Sequence, residues 1–450
     1  MISADQARLF FLLRGGHDRA LFPSGAALME PQDRAFLTRL FQAAVKAVDP
    51  ESALRAALPE PPKGRTVVVG AGKGAAQLAA ACEKLWPGPL EGVAVTRHGG
   101  GVEPPLRRIR VLEAAHPTPD AAGLEASRAL KAAVSGLTGQ DLVLALICGG
   151  GSALLPDPPE GLTLEDEIAL NKALLASGAP ISVMNALRKQ FSAIKGGRLA
   201  LAAYPARVVS LVVSDVPGDD PAQVASGPTI PDRTTRAEAR ALAEIWRIAL
   251  PPKLAARLAS DEDLAPDPED PRFARNEVHV IASARIALEA AAAQAEAEGV
   301  TAAILSDALE GEACEAGRFH AALAREIALR DRPFAKPVVL LSGGETTVTL
   351  REPGGKGGRN SEFALALALA GEGLPFAALA ADTDGIDGSE ANAGVFLDGA
   401  SAARLRALGL DGRSLLARHH AWTAFEALGD LFTTGPTGVN VNDLRAILIR

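Results

Sequence analysis

The sequence predicts an α/β fold of two domains, each built on a mostly parallel sheet flanked by helices. Two observations carry that prediction. Short β-branched apolar runs alternate with long Ala/Leu-rich segments through nearly all of the 450 residues. The runs also lack period-two alternation, which suits strands covered on both faces.

The first rhythm is read from Val67-Val68-Val69, Leu142 to Ile147 and Val208 to Val213 as strands, with helices over 76–85, 121–135, 164–176 and 191–203. Strands joined through helices imply right-handed crossovers. The stretch from Pro217 to Asp232 reads as a long loop, 234–260 as helical, and Asp261 to Pro271, rich in Pro, Asp and Glu, as a linker. A second rhythm comes after it, with strands at 278–281, 302–305, 338–341, 344–350 and 376–380 and helices at 284–298, 312–330 and 361–370. The expected domains are therefore residues 1–265, Rossmann-like, and 266–450, a smaller α/β unit. Leu9 to Leu13, followed by Arg14, His17, Asp18 and Arg19, reads as an amphipathic helix and not as an export signal.

Net charge is −8 with no long basic run, which argues against a nucleic-acid partner. Any anionic ligand must then be held by local donors. Cys82, Cys148 and Cys314 are odd in number and far apart, so no disulfide framework is expected and a reducing cytoplasm fits. No apolar run reaches the ~18 residues of a membrane span.

Candidate ligand loops stand at strand ends. Gly70-Ala71-Gly72-Lys73-Gly74-Ala75 follows a strand and opens a helix, where free N–H groups attract an anion. It also meets the loose dinucleotide fingerprint, but the next strand ends in Arg97 and not in a ribose-binding acid, which keeps an NADP-linked reductase open. A plain strand-to-helix turn is the structural alternative, and Lys73 favours a phosphate. Gly149-Gly150-Gly151-Ser152 reads as an anion nest. Gly343-Gly344-Glu345 ends a later strand, and Gly354-Gly355-Lys356-Gly357-Gly358-Arg359-Asn360 precedes a helix with two cations. There is no Walker A loop.

Asp215, Asp219 and Asp384 lie in Asp- and Gly-rich turns suited to Mg²⁺ or, for Asp215, to accepting a hydroxyl proton; capping is the plainer role of such acids. Arg188, Lys195 and Arg198 give a basic helix with a glycine break that could pair with a substrate carboxylate, or be a solvated face. His116-Pro117-Thr118-Pro119-Asp120 presents one histidine from a rigid turn.

Taken together and in order, these motifs resemble the MOFRL-type glycerate kinases. The resemblance includes Ala225-Ser226-Gly227-Pro228-Thr229, Asp382-Thr383-Asp384-Gly385-Ile386-Asp387-Gly388 and Thr434 to Leu444, and runs from about residue 8 to 445. Gln190-Phe191, Ser361 and Val439 depart from the usual residues. The resemblance implies an active site in the cleft between the domains and an ATP- and Mg²⁺-dependent transfer to D-glycerate, usually at the 2-hydroxyl. It implies Lys73, Asp215 and Arg359 as catalytic residues. Gly72, Gly149, Gly150, Gly151, Ser152, Gly343, Gly344, Glu345 and Asn360 are expected to hold phosphate or nucleotide, and Arg188, Lys195 and Arg198 the acid. Asp215, Asp219 and Asp384 are expected to hold the metal. The partners expected are small molecules, with no membrane or nucleic acid, and a homodimer is open. The rival readings are an NADP-dependent hydroxypyruvate reductase and a non-catalytic sugar-phosphate or nucleotide-binding regulator, and 3-phosphoglycerate stays open as the product.

Overall fold

The computed structural model describes residues 29–260, 265–350 and 355–450. The expected helix at residues 9–13, linker residues 261–264 and Gly354 lie outside these.

The first sheet comprises β1 (Thr66–Ala71), β2 (Glu91–Arg97), β3 (Ile109–Ala114), β4 (Leu142–Cys148), β5 (Arg207–Val213) and β6 (Glu277–Ala282). Its order is β3-β2-β1-β4-β5-β6, and all five pairings are parallel. Strand order reverses between β1 and β4, so a crevice opens beyond their carboxyl ends. Both glycine loops of the first half sit there. Along β1, Val67 and Val69 enter one core and Val68 the other, as period-two geometry dictates. Both faces are buried, and this explains the unbroken apolar runs.

The second sheet comprises β7 (Thr301–Leu309), β8 (Val338–Gly344), β9 (Phe376–Asp382), β10 (Gly394–Asp398), β11 (Leu431–Phe432) and β12 (Asp443–Ile449), in the order β11-β10-β9-β12-β8-β7. β7, β8, β9 and β11 share one direction. Yet only β7–β8 is a parallel pair, because the last strand, β12, inserts antiparallel between β8 and β9. The two-domain α/β expectation holds in class, with this sheet mixed in its pairing.

Two segments cross the expected boundary between 265 and 266. β6 pairs with β5 and completes the first sheet. The helix Pro31–Ala47 carries Phe36, Leu37, Leu40, Phe41 and Ala44 onto the second sheet, beside the helix Ala284–Ala297. Periodicity grouped β6 with the strands after the linker, because pairing partners leave no local signal.

Two helix expectations and one strand expectation change. Residues 191–203 form a helix only at Arg198–Ala203, after the turn at Gly196 and Gly197. The 234–260 stretch splits into Arg236–Ile245 and Pro252–Ala259, broken before Pro251-Pro252. The 344–350 strand does not form. Gly344 instead ends β8 with φ 110°, and beyond it the chain makes one bridge, Glu312 to Thr347.

Phe41 ties the amino-terminal helix to the second sheet through an edge contact with Phe432 at 5.0 Å. Phe41→Ala is expected to cost about 3–5 kcal/mol in urea denaturation, while Arg39→Ala, which removes an exposed ion pair to Glu298, costs under about 1 kcal/mol.

Candidate active site

At the β1–β4 crevice the first loop is closed upon itself. The N–H groups of Gly72, Lys73 and Ala75 donate to Val95 O at 3.2 Å, Gly149 O at 2.8 Å and Gly72 O at 3.1 Å. The Gly74 N–H is directed at the Cys148 thiol. Its backbone donors are thus spent, and the nest expected around Gly72 is corrected: the loop offers the Lys73 side chain. The second loop is the open one. Gly151 and Ser152 begin the helix Gly151–Leu154, whose first N–H groups have no intrahelical acceptor.

Glycine at 149 and 150 is a packing requirement. A methyl group at Gly149 would overlap the Asp215 carboxylate. One at Gly150 would lie 2.8 Å from Lys73 Cγ and 3.2 Å from His116 Nε2. Asp215, Lys73 and His116 therefore converge on this turn. Burial pushes the Asp215 carboxyl up, and Lys73 pulls it back. Burial, then Lys73 and Arg97, lower the His116 imidazole, so the ring is neutral at neutral pH. Burial raises the Cys148 thiol to about 12, which makes it inert.

A hollow of about 650 Å³ is lined by Lys73 and Arg97 and, from the second half of the chain, by Glu345, Arg359, Asp382, Asp384 and Asn440. Its size suits a small ligand. A recess of about 60 Å³ shares Lys73 and Asn440 and is lined by Gly149 and Asp215. Asn442 Nδ2 donates to the Asp215 carbonyl at 3.1 Å, tying the last loop to the first sheet.

Arg359 donates to three carboxyl groups: Nε to Asp443 at 2.7 Å, Nη1 to Glu345 at 2.8 Å and Nη2 to Asp382 at 2.7 Å. Burial works against its charge, but Asp443 and Asp382 outweigh it and raise the pKa. Asp443 also accepts from Asn360 Nδ2 at 2.7 Å and from the wholly buried Arg445 at 2.5 Å. The helix Arg359–Ala370 begins on its own anion, because the Asp387 carboxylate accepts from Asn360 N at 2.9 Å and Ser361 N at 2.8 Å. The expected phosphate contact at Asn360 is thereby corrected to a structural one. Gly343 and Gly344 pair with Leu444 and Asp443, and Gly344 gives room to the backbone of Leu309, so these glycines serve the sheet and form no nest.

Of the expected acid-binding residues, Lys195 is buried against Glu167 at 2.6 Å. Arg198 Nη1 donates to the carbonyls of Lys189 at 3.1 Å and Lys195 at 3.4 Å. Both stabilise the turn instead of facing a ligand. Arg188 is half-buried; Nε donates to Asn171 at 2.9 Å and Nη1 to Asn185 at 3.0 Å, and its other N–H groups have no partner among the described residues. Ser152 Oγ lies 2.7 Å from Ser226 Oγ. Asp219 faces Arg285 at 3.5 Å. Among the described residues no three His, Cys, Asp or Glu side chains are grouped to hold a metal ion, so Asp215, Asp219 and Asp384 are not gathered into one cluster.

Sequence reasoning missed His116, Asp382, Asp443 and Arg445 as site members. His116, Asp382 and Asp443 stood inside quoted motifs. Arg445 had a signal of its own, a lone cation in the apolar run Leu444 to Ile449, which must be paired when buried.

Two family models match: a domain of unknown function, DUF4147, over residues 36–259, and the MOFRL family over 338–443. A "Glycerate 2-kinase" of Pyrococcus horikoshii is 41% identical over 85% of this chain and 87% of its own. The chain belongs to the MOFRL-type glycerate kinase family. The crystal structure of a Thermotoga maritima glycerate kinase matches with TM-score 0.85 and 36% identity, covering 94% of this chain and 100% of that one. A protein of Agrobacterium vitis, provisionally named a hydroxypyruvate reductase, is 51% identical over 92% of this chain and 94% of its own. Among the described residues no helix is long and apolar enough to cross a membrane.

Lys195→Ala, which strands a buried Glu167, is expected to cost about 3–5 kcal/mol in denaturant unfolding. A second outcome concerns pH. Burial, only partly offset by Arg359, holds the Asp382 pKa at about 8. Its protonated form is favoured in the folded state, so its contribution is complete below the unfolded value near 4 and is lost as pH rises through about 8. Wild-type stability should therefore fall more steeply than that of Asp382→Ala between pH 5 and 8, read by urea titration at each pH.

Proposed function

We propose that this protein transfers the γ-phosphoryl group of ATP to the 2-hydroxyl of D-glycerate. The observation that carries this reading is the convergence of Lys73, the Asp215 carboxylate and the open Gly150–Ser152 turn at the β1–β4 crevice. Phosphoryl transfer needs positioned charge more than covalent help.

In this reading Asp215 orients the attacking hydroxyl and takes its proton as the P–O bond forms; burial makes it a better base than an ordinary aspartate. Lys73 faces the developing negative charge from the first sheet. Arg97 and Arg359 line the same hollow. Three N–H groups of Arg359 are engaged, leaving about two of its five for a phosphate oxygen. The Gly150–Ser152 N–H groups would hold further phosphate oxygens, and Arg188 the acid's carboxylate. ATP and glycerate would occupy the hollow between the two halves of the chain. Magnesium would neutralise the nucleotide phosphates, held largely by them and by water, as is usual for this ion.

A dinucleotide reductase fits less well. A pyrophosphate needs free backbone donors in the first loop, and those are spent within the protein. β2 ends in Arg97, with no acid for the ribose.

With D-glycerate, ATP and Mg²⁺, the purified protein should release ADP and yield 2-phosphoglycerate by ³¹P spectroscopy, and should not consume NADPH with hydroxypyruvate. Lys73→Met should lower kcat by about 10²–10³. Near-native turnover by that variant would remove Lys73 from the mechanism.

A further inference from the structure

Behind the Gly150–Ser152 turn lies a chain of hydrogen bonds, Arg188–Asn185–Ser226–Ser152, whose interior the mechanism above does not use. Its direction can be worked out proton by proton. Asn185 is buried, and its amide has one orientation: Nδ2 donates to the Gln223 carbonyl at 2.9 Å, and Oδ1 accepts from Arg188 Nη1 at 3.0 Å. Oδ1 therefore also faces Ser226 Oγ, at 3.0 Å. An oxygen without a proton must receive one there, so Ser226 spends its single hydroxyl proton on Asn185. The Ser226 oxygen can then only accept. Ser152, 2.7 Å away, must be the donor of that bond.

The consequence is chemical. Ser152 is only partly buried, but its proton is turned inward. Toward the open side its Oγ presents lone pairs alone. A phosphate oxygen is itself an acceptor and gains nothing from it. A hydroxyl group, which has a proton to give, does.

The backbone holds this chain at a cost. Ala225 and Ser226 both take left-handed conformations, with φ 52° and 59°. Such residues cost about 1–3 kcal/mol each and persist where their surroundings fix them. Here Gly196 N donates to Ser226 O at 3.0 Å, and Gly227 O accepts from Gly197 N at 2.8 Å. The Ala225 methyl meets Gly151, so the strained turn braces the ligand turn directly.

We propose that Ser152 is a specificity residue that reads the non-reacting 3-hydroxyl of the substrate as a hydrogen-bond donor, with Ser226 and Asn185 as positioning residues behind it. The proposal rests on the kinase reading and replaces the expectation that the Ser152 side chain holds phosphate. It places the hydroxyl on the same hydrogen-bonded chain as Arg188, the group assigned to the carboxylate.

The test compares D-glycerate with D-lactate, which lacks only the 3-hydroxyl, by kcat/KM in wild type, Ser152→Ala and Ser226→Ala. If turnover of D-lactate is too slow to follow, its inhibition constant against D-glycerate replaces it. Wild type should prefer D-glycerate by about 10²-fold or more, since a built acceptor is left unpaired by the deoxy acid. In Ser152→Ala that preference should fall to within about 10-fold, because D-glycerate loses its acceptor and D-lactate loses no contact. Ser226→Ala should lower the preference part of the way, because Ser152 is then free to turn its proton outward. Loss of folded protein cancels in the ratio. A Ser152→Ala enzyme that keeps the wild-type preference, or loses both acids by one factor, overturns the proposal. Wild type that acts on neither acid instead overturns the kinase reading beneath it.

Discussion

One buried carboxylate organises the second half of the site. Asp443 opens β12, the last strand, which is threaded between β8 and β9. Its side chain is wholly enclosed and binds Arg359, Asn360 and Arg445 at once. An isolated charge there would be prohibitive, and three donors make it tolerable. Because Asp443 pairs with Gly344 on one side and Asp382 on the other, the same strand register that completes the sheet also sets Arg359 at the hollow. The placement of Arg359 and the completion of the sheet thus rest on one strand register.

The glycine loops divide their labour in a way that donor counting reveals. The first is saturated by its own carbonyls and delivers a lysine. The second allows Asp215 and His116 to close on it and keeps its helix-start N–H groups open. The third is part of β8 and makes room for β7. The fourth precedes a helix already capped by Asp387. Four similar strings of glycine are therefore put to four different uses, and the second is the one we propose as an anion nest.

The fold was largely legible in the sequence, for a clear cause. Strands buried on both faces must be apolar throughout, and helices between them must carry stripes, so alternation of the two leaves a strong local trace. The charged members of the site were also visible where a motif surrounded them, as at Lys73, Asp215 and Arg359. Val439, which departs from the usual residue, is absorbed into the core, and Thr437 supplies the loop's hydrogen bonds, accepting from Val439 N at 3.3 Å. Lys195 shows the limit. A buried lysine and a ligand-facing one look alike in a string, and only Glu167, 28 positions earlier in the chain, tells them apart.

By itself the sequence determined the α/β class, the family and many of the elements, because these depend on residue type and spacing along the chain. Tertiary structure alone decided which sheet β6 and the amino-terminal helix join, which glycine N–H groups stay unspent, and which way the proton on Ser152 points. Each of those depends on a partner far away in sequence. A hydrogen-bond donor is available or exhausted according to what stands 3 Å from it, and neighbours along the chain do not say what that is.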